Sequence, residues 1–146
     1  MQMSNLKENK SMYEVKLNYV VVDEKGVDRS KTENLILEHA ESFADAEQIG
    51  YDYGSGLTAI DVVAIKRSKI KEIANERTSD DEKIFLATLV DVFLNEDGSE
   101  KEMKYTIAFF SKSMASANAY INEYAKQGYN MSITKIVESK YDDVLK

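Results

Sequence analysis

The chain contains no cysteine, no proline and no tryptophan, and it has one histidine in 146 residues. Without cysteine neither a disulfide nor a thiolate metal site can form, which fits a reducing compartment. The missing proline leaves every strand able to donate its full ladder of hydrogen bonds. His39 is the only histidine, and a Ser-His-Asp or Cys-His arrangement needs partners that its surroundings do not advertise, so it reads as an ordinary strand-end residue. No apolar run approaches the roughly 20 residues of a membrane span, and Met1 to Ser11 is polar with no apolar signal core. These absences predict a cytoplasmic protein with no membrane partner. Positive charge is the minority: 19 Lys and Arg face 26 Asp and Glu, a net charge of −7. That excludes coating duplex DNA or anionic lipid with the whole surface, but leaves room for a local basic groove.

What is present is one unit, about sixty residues long, written twice. Ser42-Phe43-Ala44-Asp45-Ala46 matches Ser113-Met114-Ala115-Ser116-Ala117, and Ile65-Lys66-Arg67-Ser68-Lys69 matches Ile136-Val137-Glu138-Ser139-Lys140, both at an offset of 71 (113 − 42, 136 − 65). Tyr13, Leu17 and Glu24-Lys25-Gly26 pair with Phe85, Leu89 and Glu96-Asp97-Gly98 at an offset of 72 (85 − 13, 98 − 26).

In the first copy Tyr13, Val15, Leu17, Tyr19 and Val21 alternate with polar residues, the period of a strand with one buried face. Asp23-Glu24-Lys25-Gly26 supplies a turn, and a second strand runs from Thr32 to Ala40. Ser42 caps a helix with Asp45 three residues on, and Phe43, Ala46, Ile49 and Tyr53 share one face before Gly54-Ser55-Gly56 ends it. Asp61 to Lys66 is a nearly continuous apolar strand, which predicts burial on both faces. The second copy repeats the order with Ile84 to Leu94, the turn Asn95-Glu96-Asp97-Gly98, Met103 to Phe110, a helix capped by Ser113 and closed by Gly128 at C′, and Met131 to Val137. The fold class is therefore α+β. Tandem strand-strand-helix-strand repeats form a two-lobed, pseudo-two-fold antiparallel sheet with two helices, the lobes lying side by side or interleaved. The segments are 1–11, a flexible N-terminal stretch; 12–73, the first repeat; 74–82, a charged linker; 83–140, the second repeat; and 141–146, an acidic-apolar tail.

Chemistry is sparse. Gly50, Gly54 and Gly56 follow helical sequence, the reverse of a phosphate loop, and read as a helix end. Asp80-Asp81-Glu82 and the group Asp91, Asn95, Glu96, Asp97 lack calcium-loop spacing and read as a solvated link and a hairpin tip. An enzyme would need acids such as Asp91 and Glu138 to converge, so the chain reads as non-enzymatic and without cofactor or metal.

Three features carry functional readings. Lys66, Arg67, Lys69 and Lys71 place four positive charges in six residues, the kind of strip that meets phosphates, or else one that guards an edge strand. Tyr105 and Phe110 offer stacking rings for single-stranded bases, since adjacent Phe109 and Phe110 point to opposite faces; core packing is the ordinary alternative. Asp142, Asp143, Val144 and Leu145 form an acidic-then-apolar end that can dock on a replication or host protein, or simply pack on the second lobe.

The runs Ser42-Phe43-Ala44-Asp45-Ala46-Glu47 and Ile65-Lys66-Arg67-Ser68-Lys69-Ile70-Lys71-Glu72-Ile73, with the duplicated layout and acidic-apolar end, resemble domain-of-unknown-function family 4494 of Bacteroidetes and their tailed (crAss-like) phages. The resemblance implies a phage or mobile-element setting and supplies no catalytic residue. The expected function is a non-enzymatic accessory protein that binds single-stranded DNA in replication or recombination inside the bacterial host cell. The alternative is a protein-protein adaptor or host-interaction (anti-defence) factor with no nucleic-acid binding, visible as a homodimer or hetero-complex.

Overall fold

A computed structural model describes residues 11–128 and 130–146. The expected N-terminal segment 1–11 lies outside the described residues except for Ser11, which begins a strand. The chain divides into two compact units, one reaching Ser68 and including Tyr141–Lys146, the other Lys69–Lys140.

Unit one contains β1 (Ser11–Val22), β2 (Asp28–Ala40), helix α1 (Phe43–Tyr53), β3 (Thr58–Arg67) and β8 (Asp143–Leu145), in sheet order β3-β1-β2-β8. Unit two contains β4 (Ile70–Ile73), β5 (Lys83–Leu94), β6 (Glu100–Ser111), helix α2 (Met114–Lys126) and β7 (Met131–Glu138), in sheet order β4-β6-β5-β7. The α+β class follows from these two sheets. In each, a long antiparallel hairpin has an antiparallel strand on its first arm and a short parallel strand on its second. The strands thus fall into two mixed sheets, not one continuous antiparallel sheet. The parallel strands are exchanged in sequence: β4 follows the first repeat but completes the sheet of the second, and β8 follows the second but completes the sheet of the first.

Local chemistry explains the elements. Asp23 Oδ1 accepts from the Lys25 and Val27 amides at 2.9 Å each, and Gly26 takes φ +77° to close the first hairpin. Gly98 does the same for the second at φ +84°. Ser42 accepts from the Asp45 amide at 3.0 Å, while Ser113 and Ser116 cap each other reciprocally at 3.2 and 3.1 Å.

Period-two alternation places Tyr13, Val15, Leu17, Leu35 and Leu37 beneath Ala46, all 2% exposed or less. In unit two Phe85, Ala87, Leu89, Ile107 and Phe109 lie beneath Ala117 and Ile121. Phe109 stacks between Phe85 and Tyr120, with centroids at 6.0 and 5.0 Å.

Three local expectations change. β3 is an edge strand whose burial alternates, with Val62 and Ile65 on the core and Val63 42% exposed, so it is not covered on both faces. Gly50 sits inside α1, where a Cβ would come within 3.1 Å of Val15 Cγ1 and Val62 Cγ2; its missing side chain lets the helix lie close to the sheet. Gly128 is at C′ of α2 but without positive φ, and a Cβ there would meet Met131 Cε at 2.8 Å, so close approach is what excludes a side chain.

Candidate functional site

The four cations of the basic run are exposed, and three have partners in the chain. Lys66 Nζ lies 3.6 Å from Glu14 Oε1, the Arg67 guanidinium 5.8 Å from the centre of the Tyr13 ring, and Lys71 Nζ 4.2 Å over Tyr105. Lys66 and Arg67 belong to unit one, Lys69 and Lys71 to unit two. Phe110 does point away from the helix-side cluster that holds Phe109, yet it is only 6% exposed. The Arg77 guanidinium covers its ring at 4.8 Å, and Ile84 and Ala108 on the same face are buried. Its ring is therefore not an open stacking face. Asp91 pairs with Met131 and Glu138 with Phe85, at opposite ends of the β5–β7 ladder, so these acids do not converge. His39 is exposed beside Glu38, and among the described residues no group of three or more His, Asp or Glu is placed to hold a metal ion.

The acidic-apolar segment at 141–145 does not pack on the second lobe, as one reading of the sequence had it; it belongs to unit one, on the edge of β2. Leu35, Ile36 and Leu37 pair with Asp143, Val144 and Leu145. The Asp142 amide donates to Asn34 O at 2.7 Å, and Asp142 Oδ2 accepts from the Asn34 amide at 2.7 Å. Tyr141 Oη donates at 2.5 Å to Glu14 Oε1, and Ser68 Oγ donates at 2.8 Å to Glu14 Oε2, so this buried carboxylate is fully engaged.

A phenol-carboxylate group recurs beside each parallel edge. In unit one Tyr19 and Tyr53 donate to the two oxygens of Glu33 at 2.8 Å each. In unit two Tyr124, equivalent to Tyr53 at the offset of 71 (124 − 53), donates to Glu72 of β4. Burial first, then these carboxylates, push the phenols of Tyr53 and Tyr124 well above the ordinary tyrosine range. Sequence reasoning missed these residues. The signal was available, because Glu72 and Asp143 stand at the same offset of 71 (143 − 72) beyond the last matched run.

The profile of the family described as Domain of unknown function (DUF4494) matches residues 8–146. The chain belongs to this family. No curated protein matches it. In this DUF4494 chain the hairpin ends offer the other candidate surface. Unit two exposes Phe93 (43%) and Leu94 (73%) at the end of β5, in a cleft completed by Val92, Asp91, Glu100 and Asn130. The first hairpin likewise exposes Val22 and Val27 beside Asp23 and Asp28. An apolar floor with an acidic rim suits an apolar anchor carried between basic residues.

Proposed function

We propose that the protein is a non-enzymatic adaptor that binds another polypeptide, in the phage or mobile-element setting and bacterial cytoplasm that the family resemblance implies. The observation that carries this reading is the cleft at the end of the β5–β6 hairpin, where Phe93 and Leu94 are exposed between Asp91 and Glu100. Exposed neighbouring apolar side chains cost solubility unless a partner covers them, and the acidic rim selects a basic one. Selection of a displayed peptide library on the full chain tests this. Enriched sequences should share an aromatic or aliphatic anchor flanked by Lys or Arg, and Phe93→Ser/Leu94→Ser should lose them. Enrichment indifferent to that double variant would refute the assignment.

A second reading, single-stranded DNA binding in replication or recombination, draws on Lys66, Arg67, Lys69 and Lys71, all exposed within six residues of chain. It is separated from the first by anisotropy of a labelled oligothymidine at low and physiological salt. Salt-sensitive binding lost on charge reversal at Lys66, Arg67 and Lys69 supports it; no binding at low salt removes it.

A further inference from the structure

Strand β6 runs from Glu100 to Ser111, but it meets β4 only from Thr106 onward. Among the described residues no strand pairs with 100–105 on that side, and residues 100–104 are all exposed. The contacts further along fix which main-chain groups face outward. Ala108 O accepts from the Ala74 amide at 2.8 Å. The Phe110 amide donates to Asn75 Oδ1 at 2.7 Å, and Phe110 O accepts from Asn75 Nδ2 at 3.1 Å. Even-numbered residues of β6 therefore turn their N–H and C=O towards β4. The β5–β6 register runs without a bulge, so Glu102 and Lys104 present the same pair of groups with no strand to receive them. Among the described residues neither Glu102 nor Lys104 has an ion-pair partner.

We propose that this edge joins two copies of the chain, β6 pairing antiparallel with β6 about a two-fold axis at Met103. Geometry and charge select the register. Outward groups must face outward groups, so even residues oppose even ones and the axis passes through a residue. Met103 is the uncharged residue within 100–104, and any other centre in that stretch sets a charge against its own copy. A centre further along needs the Thr106 edge, which β4 occupies. About Met103, Glu102 faces Lys104 on both sides of the axis, and the two residues exchange both main-chain hydrogen bonds. The Met103 side chains, 40% exposed in one copy, meet on the face that carries Ile107, Phe109 and α2. The first repeat supplies the contrast. Its hairpin pairs Tyr19 with Lys31 as the second pairs Asp91 with Met103, so Lys31 stands in the place of Met103 (103 − 31 = 72). The same pairing there would set Lys31 against Lys31, the usual charged guard of an open edge. The contact is isologous and short, so assembly stops at a dimer that is weak and grows with concentration. Phe93 and Leu94 lie on β5, outside the pairing, and the dimer stands or falls separately from the peptide cleft.

Light scattering on the full chain from about 10 µM to about 1 mM, the range of weak association, should show a dimer fraction that rises. A monomer throughout overturns the proposal. Charge exchange then reads the register. Glu102→Lys and Lys104→Glu each set like charges opposite one another and should weaken the dimer about tenfold. An equal mixture of the two variants restores both opposite-charge pairs and should return the dimer, as should the double variant Glu102→Lys/Lys104→Glu. Met103→Lys, which copies the edge of the first repeat, should stay monomeric. A dimer indifferent to the single charge variants, or a mixture of folded variants that stays monomeric, overturns the assignment. Should circular dichroism show a charge variant unfolded, cross-linking decides instead. The chain has no cysteine, and opposed residues of a non-hydrogen-bonded pair have Cα atoms about 4.5 Å apart, within disulfide reach. Oxidised glutathione should link Met103→Cys copies and leave Lys101→Cys copies, two residues from the axis, unlinked. No link at Met103→Cys, or equal linking at both positions, refutes the pairing.

Discussion

Asn34 and Asp142 exchange two hydrogen bonds of 2.7 Å, one through the aspartate carboxylate and one through its amide, 108 residues apart in sequence. This pair begins the parallel ladder that seats β8 on β2. Asp142→Ala removes the acceptor for the Asn34 amide. The contact is solvent-accessible, so the expected loss is about 1 kcal/mol. Urea denaturation should show a lower midpoint at unchanged slope. A midpoint equal to that of the parent chain would mean water replaces the carboxylate without cost.

Glu14 is the hub on the other side of the same slot. Ser68, Tyr141 and Lys66 all point at its carboxylate, and the residue is only 9% exposed. Glu14→Ala removes the carboxylate that accepts from both hydroxyls and should cost about 1–3 kcal/mol. Glu14→Gln keeps one oxygen acceptor and should cost less. The order of the two melting points tests this, and Glu14→Gln falling below Glu14→Ala would contradict it.

Two glycines are needed for different reasons, and one second-site change, Ile60→Val, separates them. A Cβ on Gly54 would stand 2.5 Å from Ile60 Cδ1, whereas one on Gly26 meets nothing within 4 Å but must adopt φ +77°. Gly54→Ala should cost about 1–3 kcal/mol through overpacking, and Gly26→Ala about 1–2 kcal/mol through the left-handed backbone. Ile60→Val deletes Cδ1 but keeps Cγ1, which would stand 2.6 Å from the new Cβ, so it should recover only part of the Gly54→Ala loss and none of the Gly26→Ala loss. Equal recovery in both double variants would show that sterics at Ile60 are not the cause.

The hairpins, caps and helices were legible because each is written in a few adjacent residues: Asp23 and Gly26 for a turn, Ser113 and Ser116 for a cap, Tyr13-x-Val15-x-Leu17 for a strand face. β4 and β8 were not. They are four and three residues long, and their partners lie in the opposite repeat, so no local period marks them. The burial of Phe110 was hidden for a related reason. Alternation correctly turns it away from α2, but alternation says nothing about whether the second face is open. The edge position of β3 was likewise invisible, since a run such as Val62-Val63-Ala64-Ile65 suits a central strand equally well. The hairpin-end cleft was not legible: Phe93 and Leu94 end the strand read from Ile84 to Leu94, and their exposure depends on β6 and β7 leaving that end uncovered.

The phenols of Tyr53, Tyr124 and Tyr141 give the fold an alkaline limit. Burial is the main cause of their raised values, followed by the bonds they donate to Glu33, Glu72 and Glu14. A group whose folded value is raised holds its proton more tightly in the folded chain than in the unfolded one. Its contribution is therefore complete below the unfolded value of 10.0 and is lost as pH climbs from there towards the folded value. Stability should be insensitive to these tyrosines up to about pH 9 and fall above about pH 10, the ordinary tyrosine range. Tyr141→Phe separates this from general alkaline unfolding. It should be less stable than the parent near neutrality, having lost the bond to Glu14, yet its midpoint should fall less steeply above pH 10 because one proton-releasing group is gone. Urea midpoints for both chains between pH 8 and pH 11 check the slope. Parallel slopes would mean that Tyr141 is already ionised, or freely solvated, in the folded protein, contrary to its bond with Glu14.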